Sequence, residues 1–177
     1  GTVSAVLAAV AADGITRLRH AAFDPHVVEL CQFLRKMGVG IEGEGTSAIT
    51  VSGKSGLSGA EHRLNGDHIE AGSWAVVAAI TGGDIEIVGA RAEDLEPIVA
   101  VFKRMGLCSR LEEEMLSLEA SALLGAGRIT VGLWPGFPSD LVSLVTVLAT
   151  QADGRTLIHD WMYELRLFAL EQLSGMR

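Results

Sequence analysis

The sequence predicts an α/β protein, on three observations. One arrangement recurs three times: an apolar helix of small residues, a glycine-containing turn, a short β-rich segment, a second amphipathic helix and a signal pairing Met with Gly. The turn glycines Gly14, Gly83 and Gly154 lie 69 and 71 residues apart. Hairpin signals follow the first two copies. Together these describe repeated β-α-β-α-β-β units packed around buried first helices.

The first copy opens with an Ala-rich helix over residues 3–12, then turns at Gly14 into a strand over residues 15–19. Val27, Val28, Leu30, Cys31, Phe33, Leu34 and Met37 form a helical stripe, so residues 25–37 are a helix. Asp24 stands at its N-cap, with Pro25 where a missing N–H costs nothing. Gly38 supplies a residue that can take positive φ at its end. Residues 40–42 and 49–52 then flank a Gly43-Glu44-Gly45-Thr46 turn. Residues 53–67, rich in Gly and Ser, mark the boundary before the second copy, as a hinge or a surface loop.

The second copy repeats this order: helix 70–80, Gly82-Gly83 turn, strand 85–88, helix 92–105 and Gly106. Residues 109–111 and 115–118 then flank an acidic turn. The third copy has helix 140–150, Gly154, strand 156–158, helix 163–173 and Gly175-Met176. The first helices are rich in Ala and Gly, which allows close approach to a neighbour in a crowded interior.

The 177 residues carry a net charge of −8 and no Lys/Arg cluster, which argues against nucleic acid or an anionic membrane as partner. The longest apolar run, residues 5–12, is too short to span a bilayer. No basic region precedes it as in a signal peptide. Cys31 and Cys108 are too few for a disulfide framework or a Cys-built zinc site, so a reducing, cytoplasmic setting is expected. Cys31 reads as an inert core thiol, and Cys108 has beside it no base or cation that would activate it beyond Arg110. His68 and Glu70 form a His-x-Glu pair without the Cys-x-x-Cys that would complete a zinc site, so no metal is expected. The run Glu112-Glu113-Glu114 reads as a solvated hairpin tip.

Two segments carry candidate chemistry. Trp134-Pro135-Gly136-Phe137-Pro138-Ser139-Asp140 is a rigid turn before an apolar helix. Asp140 there is either a cap or a carboxylate held for catalysis. Asp160-Trp161-Met162-Tyr163-Glu164-Leu165-Arg166 is either a surface ion pair or a substrate-facing loop with an anion-binding Arg.

These segments resemble the enolpyruvyl transferases, most closely the UDP-N-acetylglucosamine 1-carboxyvinyltransferase family. The resemblance rests on Asp24-Pro25-His26-Val27-Val28-Glu29-Leu30 with Phe33-Leu34, Gly43-Glu44-Gly45-Thr46, and Asp67-His68-Ile69-Glu70-Ala71-Gly72. It continues through Ala78-Ala79-Ile80-Thr81-Gly82-Gly83, Pro135-Gly136-Phe137-Pro138-Ser139-Asp140, and Tyr163-Glu164 with Arg166. It implies the inverse α/β prism, with residues 1–64 ending one prism domain and 65–177 beginning a second; a single three-repeat domain is the alternative. It also implies transfer of the enolpyruvyl group of phosphoenolpyruvate to the 3-hydroxyl of UDP-N-acetylglucosamine, the first committed step of peptidoglycan synthesis, without a cofactor. Asp140 matches the proposed general base, Met162 a position whose backbone contacts the UDP-sugar, and Arg166 an arginine at the phosphoenolpyruvate end.

The departures are specific. Neither cysteine matches the family's general-acid cysteine. Asn65-Gly66-Asp67-His68 replaces a Pro-Asp-Arg, and Leu165 replaces an Asn. The chain therefore reads as a fragment or shortened relative of a two-domain enzyme, inactive by itself. A non-catalytic binding or assembly domain and a shikimate-branch transferase are the other readings. No oligomeric state follows from the pattern.

Overall fold

Residues 2–11 contain neither proline nor glycine and form α1 (Thr2–Ala11) in the computed structural model, which describes residues 1–176. The chain divides into two compact units, Gly1–Leu64 and Asn65–Arg177. Residues 53–67, which contain no helix or strand, span the division.

In the first unit α1 is followed by β1 (Ile15–Arg19), α2 (Pro25–Lys36), β2 (Gly40–Glu42) and β3 (Ala48–Ser52). The strands form one antiparallel sheet of order β1-β3-β2, in which Val51 faces Thr16 on one side and Ile41 on the other. Alternation puts Ile49 and Val51 on one face, and that face is buried with Val6, Ala9 and Val10 of α1 and Val27, Cys31 and Leu34 of α2. Pro25 starts α2 at the expected place. Asp24 holds the N-cap position, but its side chain makes no capping hydrogen bond.

The second unit begins with α3 (His68–Thr81), β4 (Ile85–Val88), α4 (Ala92–Arg104), β5 (Cys108–Glu112) and β6 (Met115–Glu119). Asp67 caps α3 by accepting from the N–H groups of Ile69 (2.8 Å) and Glu70 (3.3 Å). The sheet order β4-β6-β5 matches that of the first unit by position. Next come β7 (Gly127–Thr130), a single 3-10 turn (Ser139–Leu141), α5 (Val142–Thr150), β8 (Thr156–His159) and α6 (Ala169–Ser174). Strands β7 and β8 pair in parallel. Leu95, Ile98 and Phe102 of α4 pack with Leu116, Ile129, Leu141, Val145 and Leu148 in one core. A Cβ on Gly72 would come within 2.7 Å of the Leu141 side chain, so glycine lets α3 lie close there.

The α/β class stands, but the inverse α/β prism does not. Among the described residues there are three small open sheets of three, three and two strands, and none closes into a prism. One compact unit holds one sheet and the other holds two, so no unit has three sheets to surround a helix. The first helices are accordingly not buried all round. Helix α1 exposes Leu7, and α3 exposes Trp74, Val77 and Ile80, because an open sheet covers only one stripe of a helix.

Two local expectations also shift. The left-handed residue after α3 is Gly82 (φ 66°), one position before Gly83. Its neighbour Gly83 donates back to the Ala78 carbonyl (3.0 Å) and closes the helix end. The expected helix over 163–173 is only α6, because residues 162–168 form bends and turns, with the Met162 and Tyr163 N–H groups bound to the Asp160 carboxylate and Leu165 at φ 59°.

The two thiols occupy opposite environments. Cys31 is buried, and that burial pushes its thiol up despite the nearby Arg35 charge, whereas Cys108 is exposed. A thiol reagent is expected to label Cys108 alone in the folded chain and both cysteines after denaturation, as read by mass spectrometry. Rapid native labelling of Cys31 would contradict this packing.

Candidate functional site

The site begins with a turn that has little conformational freedom. The Gly132 N–H donates to the Phe137 carbonyl (3.0 Å), and the Gly136 N–H donates to the Leu133 carbonyl (2.7 Å). The Trp134–Pro135 peptide is cis. A Cβ on Gly136 would stand 2.8 Å from both Gly132 Cα and the Leu133 carbonyl oxygen, so only glycine fits. Phe137 is buried and anchors the turn, and Pro138 leads into the 3-10 turn.

That turn sorts its three side chains by burial. Ser139 and Leu141 are buried, while the Asp140 side chain between them is 67% exposed. Pro138, not Asp140, holds the N-cap position, and no side-chain capping bond forms. The carboxylate of Asp140 instead pairs with the guanidinium of Arg166.

The partner segment leaves the parallel pair β7–β8. The Val131 N–H donates to the His159 carbonyl (3.1 Å), and the Trp161 indole N–H donates to the Val131 carbonyl (2.7 Å). Asp160 then organises the turn. Its Oδ1 accepts from the N–H groups of Met162 (2.8 Å) and Tyr163 (3.3 Å), and its Oδ2 accepts from the Ser139 hydroxyl (2.5 Å). Arg166 donates from Nε to the Ser139 carbonyl (3.3 Å), and its guanidinium lies 5.4 Å from the centre of the Tyr163 ring. Leu165 is held at positive φ at a cost of about 1–2 kcal/mol for a residue with a Cβ. The Asn of the resembling family would tolerate that conformation better.

A cleft of about 490 Å³ opens beside this loop, lined by Asp160, Trp161, Tyr163, Arg166, Leu167 and Phe168 among others. It therefore presents one cation, aromatic faces and the carboxylates of Asp160, Glu164 and Glu171, with the Asp140 carboxylate joined to it through Arg166. Burial would raise the Asp160 carboxyl. Three hydrogen bonds, from the Ser139 hydroxyl and the Met162 and Tyr163 N–H groups, outweigh it together with the Arg166 charge and hold the carboxyl below its ordinary value.

Of the three residues expected from the sequence, Asp140 and Arg166 are brought into direct contact. Met162 packs its side chain on the core and commits its N–H to Asp160. The roles of Ser139 and Asp160 were not legible. The available signal was the spacing of Asp160 from Met162 and Tyr163, which suits a carboxylate bonding the backbone two and three residues on. His68 sits edge-on to Trp134 of the site's turn at 5.7 Å, whereas Glu112 lies elsewhere and pairs with Arg110 at 2.8 Å. Among the described residues no group of three His, Cys, Asp or Glu could hold a metal ion, and no helix is long and apolar enough to cross a membrane.

A family model described as EPSP synthase (3-phosphoshikimate 1-carboxyvinyltransferase) matches residues 1–176. The chain belongs to the enolpyruvyl transferase family. Among curated members of that family, the UDP-N-acetylglucosamine 1-carboxyvinyltransferase of Treponema denticola is 39% identical, over 99% of this chain and 43% of its own length. The protein of that name from Bradyrhizobium diazoefficiens is also 39% identical, over 99% of this chain and 42% of its own. The chain thus spans less than half the length of the curated relatives it matches. Among solved structures, the enolpyruvyl transferase NikO from Streptomyces tendae superposes with a TM-score of 0.80 at 22% identity, over 98% of this chain and 42% of that one. EPSP synthase from Acinetobacter baumannii superposes at 0.57 and 22% identity, over 86% and 36%. Those two enolpyruvyl transferases share the fold with this chain.

The depressed Asp160 carboxyl makes stability depend on pH. A group whose folded value lies below its unfolded one stabilises above the unfolded value, near 3.9, and loses that contribution as pH falls through the lower folded value. Wild type should exceed Asp160→Asn in denaturant midpoint above about pH 5, and the difference should shrink steadily toward about pH 2. A difference independent of pH would show that the charge of Asp160 contributes nothing.

Proposed function

We propose that this chain is part of a transferase that moves the enolpyruvyl group of phosphoenolpyruvate to the 3-hydroxyl of UDP-N-acetylglucosamine, the committing step of peptidoglycan synthesis. The observation that carries the reading is the Asp140–Arg166 pair at the edge of an open cleft. The names and 39% identity of the two curated relatives support the choice of acceptor.

The chemistry needs a group to accept or orient the hydroxyl proton and cations to hold an anionic donor. Asp140 offers an exposed carboxylate on a turn fixed by two prolines and Phe137. A carboxylate within hydrogen-bond reach of the sugar hydroxyl accepts its proton as the oxygen adds to C2 of phosphoenolpyruvate, while the C2–C3 π pair takes a proton at the methylene carbon from a separate acid. Loss of phosphate from C2 and of a proton from C3 then leaves the enolpyruvyl ether. Arg166, braced by the Ser139 carbonyl, is a fixed planar cation suited to a carboxylate or phosphate. The N–H of Met162 is committed to Asp160, so its carbonyl is the backbone group it offers the sugar. In this reading the units Gly1–Leu64 and Asn65–Arg177 belong to different domains of the complete protein.

Asp140→Asn in the full-length protein tests the base. The exposed ion pair contributes less than about 1 kcal/mol, so Tm should hardly move. The rate constant kcat should fall roughly 10²-fold or more. A near-normal kcat would remove Asp140 from the chemistry. The present chain alone, spanning less than half of its relatives, should release no phosphate above background from phosphoenolpyruvate with either acceptor. The full-length protein should release phosphate with UDP-N-acetylglucosamine and not with shikimate 3-phosphate. The reverse preference would assign the shikimate branch.

A further inference from the structure

We propose that Asp160 is the positioning residue for the Asp140–Arg166 pair, an inference that rests on the reading of Asp140 given above. The two segments that meet here come from opposite sides of α5, and each is irregular. One carries Asp140 on the 3-10 turn, and the other carries Met162, Tyr163 and Arg166 after β8. A single carboxylate ties them together. Its Oδ2 accepts from the hydroxyl of Ser139, the buried neighbour of Asp140. Its Oδ1 accepts from the Met162 and Tyr163 N–H groups at the head of the Arg166 loop.

Both supports of Arg166 are groups that Asp160 holds. Ser139, whose hydroxyl is bound by Asp160, supplies the carbonyl that takes Arg166 Nε, and Tyr163, whose N–H is bound by Asp160, supplies the ring beside the guanidinium. Acceptors that carry charge make the shorter and stronger hydrogen bonds, and the depressed Asp160 carboxyl agrees with all three being made to the ionised form. Without this tie the long Arg166 side chain and its loop lose their common reference to Asp140. A misplacement of about 1 Å at reacting groups costs on the order of 10²-fold in rate.

The test uses the full-length protein and steady-state kinetics with UDP-N-acetylglucosamine and phosphoenolpyruvate, beside Tm for each variant. Asp160→Ala removes all three bonds and should lower kcat by roughly 10- to 100-fold. The KM for the sugar should stay within about threefold, as expected when a transition-state arrangement is lost rather than uniform binding. Asp160→Asn keeps an oxygen for both N–H groups and an amide that can donate to the Ser139 hydroxyl, so it should recover most of kcat. Ser139→Ala cuts only the link to the turn and should fall between them.

Because Asp160 acts through the pair, Asp160→Ala placed on Asp140→Asn should add little further loss. Fully additive losses in that double variant would overturn the proposal. So would a normal kcat in Asp160→Ala beside an impaired Asp140→Asn, and this outcome leaves the base assignment standing. A normal kcat in Asp140→Asn overturns the base assignment, and the positioning role with it. If Asp160→Ala does not fold, Ser139→Ala decides: reduced kcat at unchanged Tm supports the role, and unchanged kcat overturns it.

Discussion

A small open sheet has one apolar face to hide, and a helix of its own unit must cover it. This constraint governs both units. Ile49 and Val51 are covered in the first by Val6, Ala9 and Val10, while Leu116 and Leu118 lie in the second within a core that includes Ala71, Ala75 and Val76 of α3. The covering positions are small, so the helix axis approaches the sheet closely, and Gly72 extends the same logic to the Leu141 contact. The bulkiest side chain on these helices, that of Trp74, remains exposed.

Much of this was legible because it is written in local pattern. The strands at 15–19 and 85–88 and both hairpins follow from β-rich runs punctuated by Gly and acidic turns. What failed was of two kinds. Closure of sheets into a prism is a long-range arrangement, and periodicity within one repeat does not specify it. The helix expected at 163–173 failed because local hydrogen bonds to Asp160 compete with helical ones, and the stripe of Tyr163, Leu167 and Leu170 hides that competition. Strand β7 leaves no signal in the sequence because it is four residues long with three of them exposed, so it has no alternation to display.

In the candidate site, composition and geometry divide the work. The chain is acidic overall, with a net charge of −8, and Arg166 is a local exception held in place rather than one of a cluster. Sequence reasoning found both members of the Asp140–Arg166 pair as separate points on the chain. Their contact depends on Ser139 and Asp160, whose importance comes from where the 3-10 turn and the end of β8 converge. Residue type marked the charged groups, and the fold supplied the brace between them.

The parallel pairing of β7 and β8 makes the candidate site a product of long-range contacts. The hairpins close over short turns, with Glu112 facing Met115 and Glu42 facing Thr50. Gly127 instead pairs with Thr156, across the whole of α5. Closing such a loop costs more chain entropy than closing a hairpin turn. Asp160 directly follows β8, and Val131, which receives the Trp161 indole N–H, directly follows β7. The convergence of carboxylates and arginine therefore depends on a pairing between distant segments, and on neither hairpin.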